Sequence, residues 1–193
     1  MNTSNYISNY NTVYETGCKV IYGPHAASGY LLGICAEIAV QKPLRLLDFG
    51  NRCDMYFTAR KLRMLTDDPV KAMRNIRLQR AFTCYQALSL LRELEEESDP
   101  DIPVIILDLL SPFMDENIQP REIDRLFGAS IEQIREAMQN RPLLIGVKPI
   151  PQRLALTRMG LIKWLGSEFG MIRLTEEGRI ELPEPDDEQP RLF

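Results

Sequence analysis

The chain has 193 residues, of which 45% are hydrophobic and 26% charged, enough to bury one core and a length that fits a single domain over 1–193. No apolar run approaches the roughly 20 residues of a membrane helix, and the opening MNTSNYISNYNTVYETG has neither the basic start nor the apolar stretch of a signal peptide, so a soluble cytoplasmic protein (nuclear if eukaryotic) with no membrane partner is expected. Cys18, Cys35, Cys53 and Cys84 form no CxxC pair and there is one histidine, which argues against a zinc site and reads as reduced core thiols with no metal.

Residues 1–16 are rich in Asn, Ser, Thr and Tyr and too poor in apolar side chains to pack alone. Short apolar runs then alternate with longer amphipathic ones, the pattern of strand–helix–strand units and a mostly parallel, twisted α/β sheet flanked by helices. Strands are predicted at 18–22, 44–49, 76–82, 103–109 and 142–147, with helices at 29–41, 54–65, 84–97 and 121–139. Ser130 followed by Gln133 makes a capping box, predicting a fresh helix start near Gly128–Ser130. Beyond Pro151, RLALTRM, EFGMIRLT and RIELP read as strands, the last two joined by a turn, so antiparallel strands are expected at the C-terminus. The acidic, Pro-containing stretch 183–193 reads as a mobile tail.

Charge is uneven along the chain. Lys42 to Arg80 holds ten Lys/Arg against four Asp/Glu, Glu93 to Glu136 three against thirteen, and Arg141 to Arg173 six against one. The net charge of −4 therefore hides two basic segments, each readable as a solvated helix face or as a phosphate-facing surface.

The stretch GPHAASGYLLGICAEIAV joins a predicted strand to a predicted helix through a Gly-containing loop. It is followed in order by RLLDFGN, NIRLQRAFTCYQALSLLREL, PVIILD and PLLIGVKP. By order and spacing these segments resemble the RecA/RadA recombinase ATPase core, including its eukaryotic relatives and their paralogs, over 17–182. The resemblance implies a RecA-like P-loop NTPase fold, with GPHAASGYLLG at the phosphate loop and Asp108 as the Walker B aspartate.

A working loop reads G-x-x-x-x-G-K-[ST], with glycines for backbone wrapping, lysine for phosphate charge and a hydroxyl for magnesium. Here Gly23, Pro24, His25, Ser28 and Gly29 keep the loop character, but the glycines are one residue further apart, and Tyr30 and Leu31 stand at the lysine and hydroxyl positions. The family's water-activating glutamate falls on Gly50 and its phosphate-sensing glutamine on Lys148. These losses imply a pseudo-ATPase with no catalytic residue and no cofactor, ATP with magnesium binding weakly at most; carboxylates such as Asp115 could substitute. Asp108 and Asp48 also read as caps of the loops they begin, His25 as an exposed loop residue and Trp164 as a core side chain.

In the family, the chain after the fifth strand contacts single-stranded DNA. The matching stretch here, VKPIPQRLALTR, offers Lys148, Arg153 and Arg158 without an acid. The other DNA loop would be SPFMDENIQPRE, where acids outnumber Arg121. Three functions stay open: a DNA-binding accessory factor in recombination and repair, a scaffold that pairs with a RecA-fold partner or with itself, using a stripe of Tyr6, Tyr10, Val13 and Tyr14, and a weak NTPase.

Overall fold

The near-continuous apolar runs VIIL and PLLIGV can be buried on both faces only inside a sheet covered on both sides, and that is where they lie. The computed structural model describes residues 17–24, 29–94, 99, 101–175 and, as backbone, 180–181. His25, Ser28, the Tyr6–Tyr14 stripe, the 1–16 segment and the 183–193 tail lie outside the described residues. The elements are β1 (Gly17–Tyr22), α1 (Leu31–Gln41), β2 (Leu44–Asp48), α2 (Met55–Leu65), α3 (Pro69–Arg74), β3 (Ile76–Arg80), α4 (Cys84–Arg92), β4 (Val104–Leu107), α5 (Pro120–Ala137), β5 (Pro142–Val147), α6 (Ala155–Phe169), β6 (Ile172–Leu174) and β7 (Ile180–Glu181).

The strands form one sheet in the order β3-β2-β4-β5-β1-β6-β7. The first six are mutually parallel, and β7 pairs antiparallel with β6. One face is covered by α1, α2 and α3 through Leu32, Ile38, Leu62 and Ala72, the other by α4, α5 and α6 through Leu88, Phe127, Ile131 and Leu165. Helix starts are set by side-chain caps: Asp54 accepts from Phe57 N at 3.0 Å, Asp68 from Lys71 N at 2.9 Å and Thr83 from Gln86 N at 3.2 Å. Among the described residues no helix is long and apolar enough to cross a membrane.

Three expectations are corrected. Helix α5 runs unbroken through the supposed capping box; Ser130 is buried and its hydroxyl donates back to Leu126 O at 2.9 Å, satisfying itself within the turn. RLALTRM is not a strand but the turn Gln152–Leu154 and the start of α6, because Leu154, Arg158, Leu161 and Leu165 recur at helical spacing, a period that seven residues are too few to reveal. The antiparallel extension is reduced to β6 and β7, since α6 continues to Phe169 and stops at Gly170, whose φ of 67° only glycine adopts easily. Helix α3 was not expected, although Asp68 before Pro69 is a cap followed by proline in the first turn. The four thiols carry no disulfide, and burial pushes Cys18 up to about 12 and Cys53 up to about 11, which keeps both protonated.

Trp164 packs edge-on against Phe127 with ring centroids 5.5 Å apart, and a Cβ at Gly128 would sit 2.9 Å from its ring. Gly128→Ala should therefore destabilise despite the roughly 1 kcal/mol that alanine gains over glycine inside a helix. With Trp164→Ala in the background the same change should become stabilising, a reversal that a double-mutant cycle in urea measures directly.

Candidate functional site

In open parallel sheets, ligands bind beyond the carboxyl ends of the strands. Here that edge gathers Gly23 after β1, Asp48 and Gly50 at β2, Arg80 at β3, Asp108 after β4 and Lys148 after β5. Both non-glycine residues with positive φ among those described, Asn51 at 51° and Asp108 at 58°, lie on it. Such backbone persists only where its surroundings hold it.

The centre of the edge is an ion pair. Lys148 Nζ lies 3.0 Å from Asp108 Oδ2, with the carboxylate side chain 8% and the lysine side chain 23% exposed. The contact follows from the register: Ile106 sits opposite Ile145, so residues just past the ends of β4 and β5 face each other. Gly50 lies against the same carboxylate, and a Cβ there would come within 2.6 Å of Asp108 Cβ and 2.7 Å of Oδ2. The position that the resemblance gives to a glutamate thus has no room for any side chain while Asp108 holds this conformation.

Asp48 is fully buried and its carboxylate is shared by three donors: Arg52 N at 2.8 Å, Cys53 N at 3.1 Å and Arg80 Nε at 3.1 Å. It caps the loop that leads into α2, as its sequence context suggested. Asp108 makes its side-chain ion pair with Lys148 instead, and its backbone carbonyl accepts from Ser111 N.

The loop after β1 has structural reasons for its residues. Gly23 N donates to Val147 O at 3.0 Å, and a Cβ on Gly23 would run into the Leu174 carbonyl of β6, so strand packing alone demands glycine. Pro24 and Gly29 are exposed, and a Cβ at Gly29 would meet nothing within 4 Å. Leu31 is fully buried, and Tyr30 packs against the core beneath α1, α2 and α3. The Tyr30 hydroxyl is buried with no hydrogen-bond partner among the described residues, and burial, with Glu37 nearby, pushes its pKa up to about 12.

The cations expected on a DNA loop are turned to the protein itself. Lys148 holds Asp108, Arg153 Nε lies 2.8 Å from Glu116 Oε1, and Arg158, 3% exposed, donates through Nη2 to Asp115 O at 3.0 Å and Ile118 O at 3.4 Å. Arg153 and Arg158 thereby clasp the stretch after β5 to the stretch after β4, the two segments that the resemblance makes DNA loops. Glu168, the one acid in the basic segment from Arg141 to Arg173, pairs with Arg135 at 2.7 Å. Asp115 accepts from Asn117 N at 2.9 Å and Nδ2 at 3.0 Å, a local turn that engages one oxygen of this candidate substitute carboxylate.

Among the described residues, the positions that the resemblance would give to a magnesium nucleotide are otherwise engaged: Asp108 is held by an ammonium group, Leu31 is buried, and Tyr30 can carry no positive charge. The Lys148–Asp108 pair was the feature that sequence reasoning missed. Its signal was present, since two residues closing adjacent parallel strands of opposite charge are natural partners once strand order is known. Comparison with models of known families and with curated proteins finds no match.

Asp108→Asn and Lys148→Met should each destabilise by about 1–3 kcal/mol, less than a fully buried pair would lose because the lysine keeps some solvent. Together they should cost less than the sum of the two, read by chemical denaturation. Tyr30→Phe should stabilise by about 1 kcal/mol, since it removes a buried hydroxyl with no partner. Its advantage should grow above about pH 10, where the unfolded phenol ionises but the folded one does not, so that wild-type stability falls as pH rises from 10 toward 12 and the variant escapes that loss.

Proposed function

We propose that this chain is a non-hydrolysing RecA-like domain that serves as a DNA-binding accessory factor in recombination or repair. The observation that carries the first half of this reading is the Lys148–Asp108 pair, 3.0 Å apart, in which a protein cation takes the place at the Walker B position where the family places magnesium. Gly50, pressed against Asp108, leaves no base to activate water, and Tyr30 and Leu31 are committed to the core. The six-stranded parallel sheet, the Gly23 loop before α1 and Asp108 just past β4 fit the RecA-like order of segments. The nucleic-acid half of the reading rests on that resemblance and on the basic segments.

A second reading, a scaffold that pairs with a RecA-fold partner or with itself without touching DNA, is favoured by the clasp of Arg153 and Arg158 onto the 115–118 stretch, which engages the cations of the expected DNA loop.

The test of the catalytic half is direct. Magnesium-ATP at millimolar concentration should raise the melting temperature by no more than about a degree, because a ligand stabilises only in proportion to its occupancy. Tyr30→Lys with Leu31→Thr should bring no turnover and should lower stability by about 2 kcal/mol or more, since Leu31 is fully buried. Steady ATP hydrolysis by the wild-type chain that Asp108→Asn abolishes would overturn the proposal in favour of a weak NTPase.

A further inference from the structure

We infer that the exposed face of α2 and α3, with the adjoining rim of β2 and β3, is a binding surface for single-stranded nucleic acid. The inference rests on the nucleic-acid reading above and moves the contact away from the stretch after β5. From Asn51 to Tyr85 the sequence holds eight Lys/Arg against three Asp, in a chain whose net charge is −4. Two of the three acids, Asp54 and Asp68, accept backbone N–H groups as helix caps.

The cations of the two basic segments differ in what they touch. Lys148, Arg153 and Arg158 are engaged with the protein, whereas the side chains of Arg52, Arg60, Arg63, Lys71 and Arg74 are exposed and make no ion pair with a described residue. Tyr56, Arg60 and Arg63 stand at i, i+4 and i+7 on α2 and so share one stripe. Helix α3 packs beside α2 and leads into β3, the outermost strand, which continues the basic surface to the sheet edge.

Aromatic side chains stand among these charges. Tyr56 is 86% exposed in the first turn of α2, and Phe82 is 67% exposed just beyond β3. Asp48 holds their neighbourhoods together, since it accepts from Arg52 N in the loop before Tyr56 and from Arg80 Nε two residues before Phe82. Tyr85 is excluded from the surface because its hydroxyl donates to Glu122 on α5 at 3.3 Å. Backbone-tracking cations beside flat, exposed rings are what unpaired bases require, whereas an acidic protein surface needs the cations but not the rings.

Fluorescence anisotropy with labelled oligo-dT over a salt series tests the surface. Tyr56→Ala with Phe82→Ala should weaken binding by about 5- to 150-fold for each base that stacks. Arg60→Ser, Arg63→Ser and Arg74→Ser together should make the log-log salt slope shallower by about 0.7 per residue removed. Arg153→Ser should leave both affinity and slope unchanged. All the substituted side chains are exposed, so the variants should melt as the wild type does. Oligonucleotide carrying 5-iodouracil should photocrosslink to the peptides that contain Tyr56 or Phe82, which checks the surface in the unaltered chain.

If the wild type binds oligo-dT but crosslinks only elsewhere, and the face variants bind as tightly as it does, the surface is wrong while the nucleic-acid reading stands. If the wild type fails to bind even at low salt, both fall. Loss of self-association by the triple serine variant in that case would mark the face as a contact for the acidic surface of a second copy.

Discussion

Parallel strands end in a row, and whatever closes two neighbouring ones is brought side by side. In this chain the rule sets Asp108 against Lys148, and much of the carboxyl edge is arranged around that contact. A carboxylate this sheltered must be compensated by charge or hydrogen bonds, and the lysine supplies the charge without any ligand. The left-handed backbone at Asp108 aims its side chain across the edge, and Gly50 is small because that side chain lies against it. A short distance away, Arg153 and Arg158 fasten the following segments to each other. Much of the described edge is thus satisfied from within, by contacts between its own side chains and backbone.

Much of this architecture could be read from the residues. The runs LRLLD and PLLIGV announced strands buried on both faces, and the 142–147 strand falls where the apolar run does. Helices α1, α2 and α5 were visible in their amphipathic spacing. Failures cluster where a local pattern supports two structures. RLALTRM alternates like a strand over seven residues, and only its continuation through Leu161 and Leu165 shows the helix. Ser130 and Gln133 have the chemistry of a cap, but a helix already anchored by Ile123, Phe127 and Ile134 on the core keeps going, and the serine bonds backward.

The candidate site was legible in composition and illegible in geometry. That Tyr30, Leu31 and Gly50 stand at the positions the resemblance gives to a lysine, a hydroxyl and a glutamate can be read from the sequence alone. Which cations face solvent does not, because it depends on strand order and on loops meeting across the sheet. Counting charges gave Lys148, Arg153 and Arg158 to one loop; their partners Asp108, Glu116 and the carbonyls of Asp115 and Ile118 lie some 30 to 45 residues earlier in the chain, brought close only by folding. Gly23 carries a similar lesson. A glycine that resembles a phosphate-loop residue is fixed by the Leu174 carbonyl of a strand that lies more than a hundred residues further on.

The strand order also bears on how the chain is made. β1 is the first of the described strands to leave the ribosome, yet its neighbours in the sheet are β5 and β6, whose residues begin at Pro142 and Ile172. Until those are synthesised, GCKVIY has no strand to pair with, although β2 can already join β3 and then β4. Half of the sheet can therefore assemble during translation while β1 waits as an open edge, exposing a segment of Val20, Ile21 and Tyr22 that is competent to pair with another nascent chain. Long-range closure of this kind is slow, and it makes the last third of the chain the part on which productive folding of the first strand depends.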